Sequence, residues 1–189
     1  DVTYNGIMTI ADKGTGENDT GSVGIYKKEG TGIISTSADN WSVGKSGYGI
    51  FVKQTTGESA TINNGTHMNL EMSAVGIFSD GANIINNFGN ITVGETDIKG
   101  NPNNTQDHLN SVGIFVSNGT TVNNTGTIDV KHEYSVGIYG NGTGTYITNK
   151  SGGIINVDKG GVGILVKDNA IAVNEGTINL GNTSSIHGT

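Results

Sequence analysis

The chain has 189 residues, a formal charge of −7, 32 glycines, one proline and no cysteine. The missing cysteines exclude a disulfide scaffold. The acidic, arginine-free composition argues against nucleic acid or an anionic membrane as partner, because phosphate contacts run mainly on lysine and arginine.

Hydrophobic residues make up 33 % of the chain. So low a share suits disorder unless the apolar residues recur at fixed spacing, and here they do. Asp1 to Gly6 does not read as a leader peptide, and Asn5 to Ile10 reads as the tail of an earlier coil. Ser22-Val23-Gly24-Ile25-Tyr26 then opens a motif of a small residue, Val-Gly-Ile and an aromatic. Gly32 to Thr36 is a degenerate copy of a second motif, which is clear from Ile62-Asn63-Asn64 with Met68 and Leu70 in alternation. The first motif returns around Gly49, Gly76, Gly113, Gly137 and Gly163. The second returns at Ile85-Asn86-Asn87, Val122-Asn123-Asn124, Thr148-Asn149 and Val173-Asn174.

Each period of about 25 residues thus holds three short alternating apolar pieces separated by turn residues, within the range of solenoid repeats. No stretch carries a sustained helical apolar pattern. These features predict an all-β fold: a right-handed parallel β-helix (solenoid) of about seven coils, three short strands per coil, running through residues 1–189 as one segment. Alternation along the first motif puts Val23 and Ile25 on one face and Ser22, Gly24 and Tyr26 on the other. The Val/Ile face is assigned to the interior. Asn63, Asn86, Asn123, Asn149 and Asn174 form an expected column, which would supply left-handed corner residues and a coil-to-coil hydrogen-bond ladder.

Two features stand apart from the scaffold. The interval from Gly76 to Gly113 is the one long repeat, and its surplus falls in a loop insertion over residues 94–110. Insertions at solenoid corners often carry function, so Glu95, Asp97, Lys99, Asn101, Asn104, Gln106, Asp107 and His108 are the candidate ligand-binding residues. The other feature is an outward aromatic stripe of Tyr26, Phe51, Phe78, Phe115 and Tyr139, suited to a sugar ring or a protein partner.

Catalytic chemistry is weakly represented. A β-helix also carries polysaccharide lyases and hydrolases, and hydrolysis needs converging carboxylates. Asp80, Asp97, Asp129, Glu133, Asp158, Asp168 and Glu175 fall at different phases of the repeat. The histidines at 67, 108, 132 and 187 are far apart, and no calcium-roll, phosphate-loop or nucleophile-elbow motif occurs. The sequence therefore predicts no enzyme, no catalytic residue, no metal site and no cofactor. Asn-x-Ser/Thr triplets such as those at Asn18, Asn90, Asn118 and Asn141 follow from composition.

The spaced Ser-Val-Gly-Ile-Tyr/Phe motif, followed by Asn-Asn-x-Gly-x-Ile-x-Val, resembles the passenger domains of large type V autotransporter adhesins. It is most like those of fusobacterial outer-membrane adhesins of the RadD type. The resemblance covers Asn5 to Leu180 as a repeat pattern. It implies a monomeric β-helical stalk on the bacterial cell surface, anchored through a C-terminal β-barrel translocator outside this segment. The implied partners are a receptor or glycan on a host cell or another bacterium. A rigid spacer and a phage tail-spike fibre are the alternatives outside enzymology.

Overall fold

The computed structural model describes residues 1–12, 21–55, 57–94, 111–158 and 160–181. A strand of three to six residues buries little by itself, so each must find neighbours above and below. The first coil holds β1 (Val2–Tyr4), β2 (Met8–Ile10) and β3 (Val23–Lys28), and the second β4 (Gly32–Thr36), β5 (Trp41–Val43) and β6 (Tyr48–Lys53). The third holds β7 (Ala60–Asn64), β8 (Met68–Leu70) and β9 (Val75–Asp80), and the fourth β10 (Ile84–Asn87), β11 (Asn90–Val93) and β12 (Val112–Ser117). Then come β13 (Thr121–Asn124), β14 (Thr127–Val130) and β15 (Val136–Asn141), followed by β16 (Tyr146–Asn149), β17 (Ile154–Val157) and β18 (Val162–Lys167). β19 (Ile171–Asn174) and β20 (Thr177–Leu180) complete the described strands.

Every third strand pairs in parallel, giving sheet A from β1 to β19, sheet B from β2 to β20, each of seven strands, and six-stranded sheet C from β3 to β18. The fold is the expected parallel β-helix with three strands per coil. Its coil count differs slightly from seven: the described residues form six full coils and two strands of a further one.

The core is the space the three sheets enclose. Sheet C sends in Ile25, Ile50, Ile77, Ile114 and Ile138, and sheet A sends in Ile34, Ile62, Ile85, Val122 and Ile147. Sheet B contributes two rows, with Met68, Ile91, Ile128 and Ile155 in one and Val43, Leu70, Val93, Val130 and Val157 in the other. Trp41 is fully buried and donates its indole N–H to the Gly6 carbonyl at 3.1 Å. It lies on β5, a strand the repeat pattern did not reveal.

The first motif faces differently from its simple alternation. Isoleucine points inward as expected, but valine does not share its face: Val23 is 40 % exposed and Val75 and Val112 are half-buried, while Val136 at the same position is covered. The glycine between them turns inward instead. A β-carbon on Gly76 would abut Leu70 and Ile91, and one on Gly113 would abut Val93. Two successive inward positions break the period of two, and the parallel register skips the glycine accordingly. Only a residue without a side chain fits there. A β-carbon on Gly24, Gly49, Gly76, Gly113 or Gly137 would stand 2.5–2.7 Å from the carbonyl oxygen of the glycine one coil on. Gly113→Ala should therefore destabilise the fold by about 1–3 kcal/mol through overpacking against backbone. Urea denaturation measures this, and an unchanged midpoint would refute the close approach.

The asparagine column is two ladders rather than one. Asn63, Asn86 and Asn123 form a partly exposed outer ladder, with amide-to-amide bonds of 2.9 and 3.0 Å. Asn64, Asn87, Asn124, Asn149 and Asn174 form an inner ladder, each side-chain amide donating to the next oxygen at 2.7–2.8 Å. The register pairs Asn123 with Thr148 and Asn124 with Asn149, so Asn149 and Asn174 belong with the inner set. None of these asparagines has positive φ; they are strand residues. Left-handed backbone falls instead on corner residues: Ser46, Ser73, Tyr134 and Gly160 at the B-to-C corner, Asn118 among others at the C-to-A corner, and Gly152 at the A-to-B corner.

Inner-ladder members also tie down the A-to-B corner. Asn87 donates to the Gly89 carbonyl at 3.2 Å and Asn124 to that of Gly126 at 3.2 Å. Asn87→Ala leaves Asn64 without its acceptor and Asn124 without its donor in a dry corner. It should cost about 2–4 kcal/mol, whereas Asn86→Ala on the wetter outer ladder should cost about 1 kcal/mol or less. Denaturation of the two variants side by side tests the division; equal losses would count against it.

Candidate functional site

Three places on the surface collect residues with chemical capability: the B-to-C corner, a carboxyl pair beside it, and the outer face of sheet C. Most coils cross the B-to-C corner tersely, through residues 44–47, 71–74, 131–135 and 158–161. Two do not. Residues 94–111 join β11 to β12, and residues 11–22 join β2 to β3. The first of these long connections contains the predicted insertion. Glu95, Asp97, Lys99, Asn101, Asn104, Gln106, Asp107 and His108 all lie outside the described residues. The second was missed, because the first coil carries no preceding motif copy to measure it against.

At the same corner two carboxyls meet. Asp12 accepts the Lys45 backbone N–H at 2.8 Å, and Glu71, two coils on, lies within hydrogen-bonding reach of Asp12. Burial pushes the Glu71 carboxyl above the ordinary glutamate range, and the Asp12 charge and the shared hydrogen bond add to the rise. These residues follow strands β2 and β8 in the turns, so they do not form a pair on an exposed strand face. Sequence phase could not find them, since stacking brings together turns that are far apart in the chain.

The raised Glu71 value sets a sign. Below the ordinary glutamate value of 4.5 the group is protonated in both folded and unfolded chains and costs nothing. As pH rises from there through the raised folded value, the folded state must ionise a group it disfavours, so stability falls, and the penalty is complete once the pH exceeds that folded value. Glu71→Gln should raise the melting temperature at pH 7 and flatten its fall between the ordinary value and neutrality. Melting curves of both proteins across about pH 4–8 decide it; a lower melting temperature for the variant at pH 7 would overturn the assignment.

The remaining acidic residues stay apart. Asp80 accepts from Ser117 at 2.8 Å and from Asn118 at 2.6 Å. Asp129 accepts from Asn156 at 2.6 Å. His67 approaches Thr92 at 3.4 Å, and His132 meets the Glu133 carbonyl at 3.1 Å. Among the described residues no group of three or more His, Cys, Asp or Glu is placed to hold a metal.

The aromatic stripe runs in register up the outer face of sheet C, from Tyr26 through Phe51, Phe78 and Phe115 to Tyr139. Tyr26 is 58 % exposed and the other four are partly exposed. Phe51 stacks on Phe78 at 4.5 Å and 12°, and Phe78 on Phe115 at 5.1 Å and 9°. Tyr139 follows at 4.9 Å and 31°. The faces of Phe51, Phe78 and Phe115 are therefore spent on neighbouring rings, and Tyr48 stands perpendicular beside Phe51 and Phe78 at 5.2 and 6.0 Å. A sugar ring that needs an aromatic face is poorly served by these three rungs. The alignment was legible in the sequence; the orientation of the rings was not, because it depends on the coil spacing.

No protein-family model, no curated protein and no solved structure matches this chain.

Proposed function

We propose that the chain is a passenger segment of a bacterial cell-surface adhesin, a rigid β-helical rod that presents connecting segments along one corner to a receptor or glycan. One observation carries the proposal. The two long connections, residues 11–22 and 94–111, leave the same B-to-C corner, about 14 Å apart along the axis at the usual strand spacing. A rod whose insertions share an edge has a presenting side. Its repetitive residues are consumed by the scaffold: isoleucine in the core, glycine at the coil contact, asparagine in the ladders.

The repeat pattern, similar to that of type V autotransporter passengers, supports the same reading. In that setting the segment stands outside the outer membrane, carried by a β-barrel elsewhere in the protein, and folds coil on coil. The test is binding of the purified chain to bacterial and host cells and to an array of glycans. It is repeated with residues 95–110 deleted, with residues 13–20 deleted, and with both deleted. Loss of binding by a deletion variant that keeps its β circular dichroism supports presentation from the corner. Undiminished binding by the double deletion overturns it, and no binding by the intact chain assigns the segment a spacer role instead.

A further inference from the structure

Sheet A turns an uncharged face to solvent. Its first outward row runs Ile33, Thr61, Ile84, Thr121, Tyr146 and Ile171 in parallel register, and its second Ser35, Asn63, Asn86, Asn123, Thr148 and Val173. Neither row holds a charged residue, in a chain whose formal charge is −7. A third row rounds the A-to-B corner through Gly65, Phe88, Thr125 and Lys150, each donating its backbone N–H to the coil before it. The large apolar members are uncovered: Phe88 is 59 % exposed, Ile33 45 %, Tyr146 40 % and Ile84 39 %. The sheet is bounded by the C-to-A and A-to-B corners, so the long connections of the B-to-C corner do not border it.

Side-chain size alternates along the axis. In the first row Ile33, Ile84 and Tyr146 stand two coils apart, with the shorter Thr61 and Thr121 between them. In the corner row Phe88 lies between Gly65 and Thr125. The face is thus a set of ridges and gaps that repeats about every 10 Å, two coil spacings. A second copy can be laid on it by a two-fold axis that runs along the strands, midway between β10 and β13. Each row then covers its own counterpart in the opposite sense. Ile84 faces the partner's Thr121, Tyr146 the partner's Thr61, Phe88 the partner's Thr125 and Lys150 the partner's Gly65. In every one of these pairs a large side chain meets a small one. Asn86 faces the partner's Asn123, and each amide keeps a donor and an acceptor position beyond the one it spends on the outer ladder.

We propose that the outer face of sheet A is where two copies of this chain associate, face to face and antiparallel, about that two-fold axis. Charge selects the face. Two acidic chains repel each other through most of their surface, whereas no like charges meet in these three rows. Shape selects the register. Moving the axis by half a coil would set Ile84 on the partner's Ile84 and Tyr146 on the partner's Ile33, ridge against ridge. Area sets the strength. Six strands, β4 to β19, and three outward rows give about 500 Å² per partner, below the roughly 800 Å² of a standard interface, so the pair is reversible rather than permanent. The proposal uses no residue of the corner connections and stands apart from the adhesin reading.

Sedimentation equilibrium of the purified chain is the test, and it should show a concentration-dependent monomer–dimer equilibrium. Ile84→Lys brings two ammonium groups into the contact and should weaken association at least ten-fold, with an unchanged circular dichroism spectrum because Ile84 lies outside the core. Adding Thr121→Glu should restore most of the loss, since position 121 faces position 84 across the two-fold axis. Adding Thr61→Glu instead should not, although Thr61 and Thr121 both neighbour Ile84 within one chain. A chain that stays monomeric at millimolar concentration overturns the proposal. So does association that Ile84→Lys leaves unchanged, or rescue by Thr61→Glu equal to that by Thr121→Glu.

Discussion

Backbone hydrogen bonding between parallel strands fixes the coil spacing at about 4.8 Å, and everything else in this molecule follows from that distance. At such a spacing each residue lies on its counterpart from the coil below. A side chain is acceptable only if it can touch a copy of itself or a near relative. Isoleucine on isoleucine buries methyl groups, and phenylalanine on phenylalanine stacks at 4.5 to 5.1 Å. Asparagine on asparagine donates and accepts at once, so one residue type satisfies itself indefinitely. Glycine is required where the spacing leaves no room, as at Gly113, whose absent β-carbon would reach 2.5 Å from the Gly137 carbonyl oxygen.

The same constraint explains the composition. Like charges directly opposite one another in a sheet repel, and a column of identical lysines or aspartates would repeat that cost in each coil. Only 14 % of residues are charged, and charged columns are short. Lys28 and Lys53 are followed by Asp80, and Asp129 is followed by Asn156 and Asn179, which donate in turn at 2.6 and 2.8 Å. The low hydrophobic share is tolerable because a long core is filled by a few residues per coil, nearly all of them fully buried.

Repetition made the fold legible in the sequence, and departures from it hid the rest. The Val-Gly-Ile spacing was enough to give the strands, their number per coil and the inward isoleucines. It misled on valine, because alternation holds only while the strand is regular and the chain turns Gly113 and Ile114 inward in succession. It merged two ladders into one column, since Asn63 and Asn64 are adjacent in sequence and only register separates outer from inner. Trp41 and the long connection over residues 11–22 lie in the first two coils, where the motif is incomplete. Asp12 and Glu71 became neighbours through two stacked turns, a relation that no periodicity of side chains encodes.

A scaffold that consumes its distinctive residues in self-contact also decides where recognition can occur. The inner-ladder asparagines bond to one another from coil to coil, and the phenylalanines have spent their faces. What stays available is whatever the coil spacing does not pair: ring edges on sheet C, and chain that leaves the stack at the B-to-C corner. These differ in kind. The edge of a stacked column is regular and is fixed by the coils on either side. The corner accepts insertions of any length without disturbing the ladders, because hydrogen bonding resumes at β3 and β12 in full register. Variation in a partner can therefore be met at the corner at little cost to stability, while a change on the stacked face must be accommodated by the coils on either side.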